Sequence, residues 1–169
     1  PPSPPTAIPP RPRIRADPKT EKPRILRFFR EYFGYDRAPD VFKDPKDIKA
    51  LGLKDYRPLN YVADTDRLVQ HVLAADKDVF RTLLTTGQGF VPAHEKAFDP
   101  KNPVANNPFV LYGLDRYLKP TDPQPVPLPG PRAGVLTQPS WLIAWSTNFE
   151  HDPVRRGRWV RARLLGGVV

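Results

Sequence analysis

The sequence predicts a mainly α-helical fold, built from small helical domains with long, ordered, proline-rich loops. Four segments carry apolar residues at the three-to-four-residue spacing of a helix, and strict apolar–polar alternation never lasts more than a few residues. The chain also contains 24 prolines among 169 residues, about three times the ordinary frequency. Because proline interrupts regular structure, we expect much of the chain to be loop.

We divide the chain into three parts. Residues 1–19 are proline-rich and basic, and they have the composition of an extended linker. Residues 20–131 are expected to form a helical domain with long loops. Residues 132–169 are expected to form a C-terminal helix pair that packs on the preceding domain and is truncated, which makes the chain a fragment of a longer protein.

The clearest helix runs from Glu21 to Gly34, and Gly34 suits its C-cap. Arg24, Arg27 and Arg30 are predicted on the outer face, where Glu31 can pair with Arg27 one turn away. The predicted apolar stripe consists of Ile25, Leu26, Phe28, Phe29, Tyr32 and Phe33.

A second helical region is predicted from Tyr61 to Thr85, with Asp64 or Thr65 as its N-cap and a break near Ala75–Asp76. Asp66, Asp76 and Asp78 are explained by capping and solvent exposure, and His71 by a half-buried structural role. Between the two helical regions, Tyr35–Asn60 is predicted as a loop with a helical turn near Asp47–Leu51. Residues 86–131 are predicted to be mostly irregular, with a short amphipathic helix or strand at Phe109–Leu118.

The C-terminal helix pair contains all three tryptophans and the densest arginine cluster. Thr137 is predicted to cap the first helix, with Pro139 in its opening turn; Asp152 is predicted to cap the second, with Pro153 at its first position. Gly166–Gly167 should end it. Val154, Val160 and Leu164 recur at helical spacing, and we expect Trp159 to pack against Trp141 or Trp145. The exposed cations predicted to bind polyanions are Arg155, Arg158, Arg161 and Arg163, whereas Arg156 is predicted to reach a carboxylate or loop carbonyls.

Composition limits the chemistry of this chain. The net charge of +9 bears on solubility and on affinity for polyanions. A solvated basic face is the first interpretation, and nucleic acid, anionic polysaccharide or an acidic protein partner are the alternatives. The lack of cysteine excludes disulfides, thiolate metal sites, a cysteine nucleophile and covalent attachment of c-type haem within these residues. No apolar run approaches the ~18 residues of a membrane-spanning helix.

No catalytic, cofactor-binding or metal-binding residues are predicted. Ser140 and Ser146 lie near His151 in sequence, but neither is surrounded by a nucleophile-elbow motif. The spacing of Asp40, Asp44 and Asp47 does not match a calcium loop, and His94, Glu95 and Asp99 are too scattered to indicate a metal site.

Three stretches together resemble one protein family: LRFFREYFGYDRAPDVFKD, DTDRLVQHVLAADKDVFRTLLTT and RAGVLTQPSWLIAWSTNFEHDPVRRGRWVRARLLGG. They are similar to consecutive parts of the large planctomycete cytochrome-c-like proteins, which contain several domains of unknown function. The resemblance runs from about Arg24 to the C-terminus. The residues that match the family pattern are Arg132, Gly134, Asp152, Arg156, Gly157 and Trp159, and Trp141 joins them in the predicted structural motif.

The resemblance implies an exported protein, periplasmic or extracellular, with a signal peptide upstream and a c-type haem segment downstream. Our first hypothesis is a non-catalytic helical segment that scaffolds or docks this haem domain for electron transfer. Its expected partners are the rest of the parent chain and other subunits of a secreted complex, and we do not expect nucleic acid among them. The alternative is a basic module that binds a polyanion, either anionic polysaccharide or nucleic acid. A third hypothesis, a hydrolase, is disfavoured by the missing motifs. A signal sequence before Pro1 and a Cys-x-x-Cys-His motif after Val169 would favour the first hypothesis.

Overall fold

The computed structural model describes residues 23–50, 53, 56–90, 111–112, 125–148 and 150–168. These residues are mainly helical, which confirms the predicted fold class. The α helices are Pro23–Phe33 (α1), Pro45–Ala50 (α2), Pro58–Ala75 (α3), Val79–Thr85 (α4), Pro139–Ala144 (α5) and Pro153–Arg163 (α6). Two 3₁₀ helices, Tyr35–Asp40 and Val135–Thr137, precede α2 and α5 respectively. A two-stranded antiparallel sheet pairs Gln88–Phe90 (β1) with Pro125–Pro127 (β2), and Gly89 faces Val126.

Five of the six α helices in the described chain begin at a proline. Proline suits the first helical position because its fixed φ is already helical and its missing N–H would lack a partner there. Part of the unusual proline content therefore marks helix starts. This explains an error in the sequence prediction: α3 begins at Pro58, several residues before the predicted caps Asp64 and Thr65, which lie inside the helix and are buried.

Helix α3 lies at the centre of the core. It contacts α1, α4, α5, β1 and the Tyr35–Asp40 helix. Its buried apolar residues include Val62, Leu68 and Val72, and they join buried side chains of α1, α4, α5 and α6 in one continuous cluster. Residues from 132 onward thus contribute to the same core as α1 and α3. The division of the chain at residues 131 and 132 stays a prediction.

The break after Ala75 is confirmed. Asp76 and Asp78 adopt left-handed backbone conformations, with φ of 47° and 44°, and they separate α3 from α4. His71 is exposed rather than half-buried, and its ring lies 5.6 Å from that of Phe90.

Helix α1 ends as predicted, because Gly34 has a φ of 68° and its N–H donates to the Arg30 carbonyl at 2.7 Å. The Arg27–Glu31 ion pair is also confirmed, at 2.7 Å. The predicted faces are partly wrong: Ile25 and Phe28 are exposed, and Arg30 turns inward to a partner on α3.

The helical turn predicted at Asp47–Leu51 is the short helix α2, which starts earlier at Pro45. The preceding loop contains the additional 3₁₀ helix, Tyr35–Asp40.

In the C-terminal pair, Thr137 does not cap α5. It lies in the preceding 3₁₀ helix, where its hydroxyl donates to the Gly134 carbonyl at 3.1 Å, and Gln138 is the N-cap. The Asp152 cap is confirmed, since its Oδ1 accepts the Arg155 N–H at 2.8 Å.

The end of α6 is confirmed by Gly166, whose φ is 68°. Val154 is 79% exposed, so its predicted place on the apolar face is wrong. It lies in the first turn of α6, on a side that packs against no other element of the described core.

Some predictions fall outside the described residues. These are the linker at residues 1–19, the group His94, Glu95 and Asp99, and most of the segment 109–118. Among the described helices, none is both long enough and apolar enough to cross a bilayer.

Candidate functional site

Trp159 fixes the position of α6. It is 6% exposed, and its ring centroid lies 5.7 Å from that of Trp141 and 6.2 Å from that of Trp145. Two rings of α1, Tyr32 and Phe33, lie 5.9 and 5.8 Å away. The predicted tryptophan contact is therefore confirmed, and the cluster joins α6 to α1 and α5.

The remaining surface of α6 is cationic. Arg155, Arg158, Arg161 and Arg163 are exposed, whereas Arg156 is half-buried and its Nε donates to the Asp152 carbonyl at 3.3 Å. Arg156 thus reaches a backbone carbonyl, as predicted.

A cavity of about 590 Å³ lies between α6, the end of α1 and the Tyr35–Asp40 helix. A second cavity of about 500 Å³ lies beside it, and Arg37 and Arg155 line both. We call the two together the α6 groove. The first cavity is lined by Glu31, Tyr32, Gly34, Asp36, Arg37, Trp145, Arg155, Arg158, Trp159, Ala162 and Arg163. The second is lined by Arg37, Asp40, Val41, Ala144, Ser146, Thr147, Asn148 and Arg155.

Two arginines of the α6 groove are held in place. The Arg37 guanidinium lies 5.4 Å from the centroid of the Trp145 ring, a cation–π geometry. The ring itself is fixed because its Nε1 donates to the Phe33 carbonyl at 2.9 Å. Arg155 Nε lies 3.5 Å from Asp152 Oδ2. The groove therefore presents cations whose orientation is partly set before any ligand binds.

The sequence predicted only part of this site. Arg155, Arg158 and Arg163 line the α6 groove, but Arg161 does not, because its side chain folds over Gly167. Arg37 was missed, and no local pattern marks it, since its position depends on Trp145, more than a hundred residues away in the chain.

The two candidate nucleophiles have structural partners. Ser146 Oγ donates to the Ile143 carbonyl at 2.6 Å and lies 2.9 Å from Lys43 Nζ, which also bonds to the Thr147 carbonyl. Partial burial lowers the pKa of Lys43. Ser140 Oγ lies 2.6 Å from Thr65 Oγ1 inside the core. Their hydroxyl groups are thus used to connect elements.

Two buried carboxylates of α3, Asp64 and Asp66, form a polar network that sequence reasoning missed. The predicted capping or solvent-exposed role of Asp66 is therefore wrong. Asp66 receives hydrogen bonds from Arg30 Nε and Tyr35 Oη, both at 2.8 Å, and a second one from Arg30 Nη2. The hydrogen bond to Asp66 raises the pKa of Arg30, and burial raises that of Tyr35. The sequence did contain an indication that Asp66 is buried. It follows the apolar residue Val62 by four positions, which places both on the same face of a helix.

Asp64 forms the second half of this network. Its Oδ2 accepts the Tyr112 hydroxyl at 2.6 Å, and its Oδ1 lies 3.2 Å from Arg67 Nη1. Burial raises the pKa of Asp64 to about 7, although Tyr112 and Arg67 act to lower it. Burial likewise raises the pKa of Tyr112. Because both carboxylates are buried in the core, we assign this network to the stability of the fold.

The C-terminal part of the chain is similar to a known family. Residues 132–169 match the family model described as "PSCyt3: Protein of unknown function (DUF1588)". This is a planctomycete cytochrome-c-like domain of unknown function. No curated protein matches the chain, and no solved structure matches it.

Several pattern residues of the PSCyt3-matched segment hold it against the rest of the fold. Arg132 Nη1 donates to the Leu111 carbonyl at 2.6 Å, and the Gly134 N–H donates to the Thr86 carbonyl at 2.7 Å. Gly134 has a φ of 63°, and a Cβ there would lie 2.4 Å from the Leu83 carbonyl oxygen. Gly157 is different, because nothing lies within 4 Å of a Cβ added to it. No contact in the described structure requires glycine at that position.

Proposed function

We propose that this chain is a non-catalytic helical segment of an exported cytochrome-c-like protein, and that it docks a downstream haem domain for electron transfer. The PSCyt3 match of residues 132–169 supports the cytochrome-like context. The chain contains no cysteine, so a covalently attached haem would be held by cysteines elsewhere in the parent protein.

The observation that carries the proposal is an exposed apolar surface beside the end of α6. Ile25, Phe28 and Phe80 are 42%, 55% and 44% exposed, and we call them the docking stripe. Tyr32 connects its rings, with centroid distances of 5.9 Å to Phe28 and 5.8 Å to Phe80. Contiguous exposed apolar side chains are typical of interaction sites.

The position of the docking stripe beside the end of α6 supports a contact with a domain that follows α6. Tyr32 Oη donates to the Arg163 carbonyl at 2.9 Å, so the last turn of α6 lies against the stripe. The left-handed conformation of Gly166 then lets the chain turn, and the Gly167 N–H reaches the Arg161 carbonyl at 3.0 Å. A haem domain attached there would begin next to the docking stripe.

The test uses the haem domain encoded after Val169 in the parent gene, purified with its haem and titrated with this chain by calorimetry. Phe28→Ser should weaken binding at least tenfold, because losing a central aromatic contact at an interface typically costs ~2 kcal/mol or more, and ~1.4 kcal/mol is a factor of ten. The matched control is Phe42→Ser, since Phe42 is 60% exposed but lies between the Tyr35–Asp40 helix and α2. The control should change binding less than twofold. Equal losses in both variants, an unaltered affinity in Phe28→Ser, or a parent gene without a haem motif would refute the proposal.

A further inference from the structure

We infer that the α6 groove binds an acidic polysaccharide, whose carboxylate or sulfate groups contact Arg37, Arg155 and Arg158. This binding site is separate from the docking stripe.

The charge of the first cavity favours an anion. Four arginines line it, whereas its acidic residues are Glu31 and Asp36. Glu31 is already paired with Arg27, which does not line the cavity, through a 2.7 Å contact. Cationic surfaces gathered in a concave site concentrate anionic ligands there.

The shape of the groove favours a chain over a single small anion. The two cavities adjoin at Arg37 and Arg155, and together they extend from α1 to the segment after α5. The second cavity adds the exposed side chains of Asn148 and Thr147, although the Thr147 hydroxyl already donates to the Glu150 carbonyl at 3.0 Å. The Asn148 amide can hydrogen-bond to sugar hydroxyls, while the arginines bind the acidic substituents.

The arrangement of Trp145 favours polysaccharide over nucleic acid. Proteins bind single-stranded nucleic acid largely by stacking bases on aromatic faces. Here the Arg37 guanidinium lies over the Trp145 ring, and the other groove tryptophan, Trp159, is 6% exposed. The groove therefore offers fixed cations rather than free ring faces.

Titrations of this chain with polygalacturonate, dextran sulfate, neutral dextran and single-stranded DNA, followed by tryptophan fluorescence, test the inference. At least one acidic polysaccharide should bind, with an affinity that falls as salt rises, and neutral dextran should not. Binding of polygalacturonate alone would identify carboxylate as the recognised group, and binding of dextran sulfate alone would identify sulfate. DNA binding that is tighter than either and is lost in the groove variant below would overturn the inference in favour of a nucleic-acid interface.

A pair of triple variants separates the contribution of the α6 groove to polysaccharide affinity from the contribution of net charge. Arg37, Arg155 and Arg158 are changed together to Gln, and the control changes the exposed Arg24, Arg57 and Arg81 to Gln. Both variants lose three positive charges. If the groove binds the polysaccharide specifically, the affinity should fall at least tenfold in the groove variant and change less than threefold in the control variant. Equal losses would show that only net charge matters and would overturn the inference.

Because Arg37 also contacts Trp145, the single variant Arg158→Glu is included to keep the native core intact. It should weaken polysaccharide binding at least threefold while the thermal unfolding curve stays unchanged. An unchanged affinity in this folded variant would contradict the binding of polysaccharide in the α6 groove. Phe28→Ser should bind polysaccharide normally, so failure of the docking proposal and failure of this one can be told apart.

Discussion

At the scale of single residues, the central helix α3 carries two carboxylates inside the core. Each is joined to a tyrosine hydroxyl and an arginine: Asp66 to Tyr35 and Arg30, and Asp64 to Tyr112 and Arg67. A buried carboxylate without such partners would cost several kcal/mol. The network links α1, the Tyr35–Asp40 helix and Tyr112 to α3, and so it specifies how these parts are arranged.

The raised pKa of Asp64 predicts a pH dependence of stability. In the native state this pKa is about 7, against 3.8 for the ordinary side chain, and burial is the main cause. The native state therefore holds a proton that the unfolded state releases between these pH values, so the contribution of Asp64 to stability is full below pH ~4 and is lost as pH rises toward 7. The loss cannot exceed about 1.4 kcal/mol per pH unit for one group.

This effect is measured by urea unfolding of wild type and Asp64→Asn between pH 4 and 8. The difference in unfolding free energy, wild type minus variant, should fall as pH rises. Parallel curves for wild type and Asp64→Asn would contradict the assignment.

At the scale of elements, prolines start five of the six described α helices, and glycines turn the chain after α1 and α6. Gly34 and Gly166 follow α1 and α6 with φ of 68°, a conformation that side chains with a Cβ rarely adopt. Gly134 has a further role, because it brings the start of the PSCyt3-matched segment against the backbone of α4.

Two Gly→Ala changes should have opposite effects. Gly134→Ala should destabilise the protein by more than the ~1–3 kcal/mol of backbone strain, since its Cβ would also meet the Leu83 carbonyl oxygen at 2.4 Å. Gly157 lies in the middle of α6, on its exposed surface, with free space around it. Gly157→Ala should therefore stabilise the protein by roughly 0.5–1 kcal/mol. Chemical denaturation of wild type and both variants measures these changes in the free energy of unfolding. A stable Gly134→Ala protein would show that the close approach to α4 is wrong.

At the scale of the whole molecule, the aromatic cluster around Trp159 joins the two ends of the described chain. It connects α1, near residue 30, with α5 and α6, beyond residue 139. Tyr32 belongs to this cluster, lines the α6 groove and has its ring centroid 5.9 Å from that of Phe28 in the docking stripe. Both proposed surfaces therefore depend on this cluster.

Trp159→Ala should lower the melting temperature strongly, because truncating a core tryptophan costs ~3–5 kcal/mol. Asp152→Ala should have a smaller effect, since a lost helix cap costs ~1 kcal/mol. Changing Arg155, Arg158 and Arg163 together to Gln should barely alter the melting temperature, because all three are exposed. Calorimetric melts compare the three variants. Unfolding of the triple variant together with a stable Trp159→Ala protein would reverse our assignment of inner and outer faces.

The sequence by itself determined the features that depend on neighbouring residues. The helical class, the break after Ala75, the Asp152 cap and the turns at Gly34 and Gly166 follow from spacing and local backbone chemistry. The packing of Trp159 against Trp141 or Trp145 could also be predicted, because three tryptophans within one short amphipathic segment have few ways to be buried.

Only the tertiary structure decided which polar groups enter the core and which apolar groups stay outside. Arg30 turns inward because Asp66, 36 residues away, supplies two acceptor oxygens. Phe28 remains exposed because no described element covers that side of α1, and Arg37 joins the α6 groove because Trp145 lies beneath it. Local patterns cannot predict such outcomes, since the free energy of burying a charge or a ring depends on partners that folding brings together.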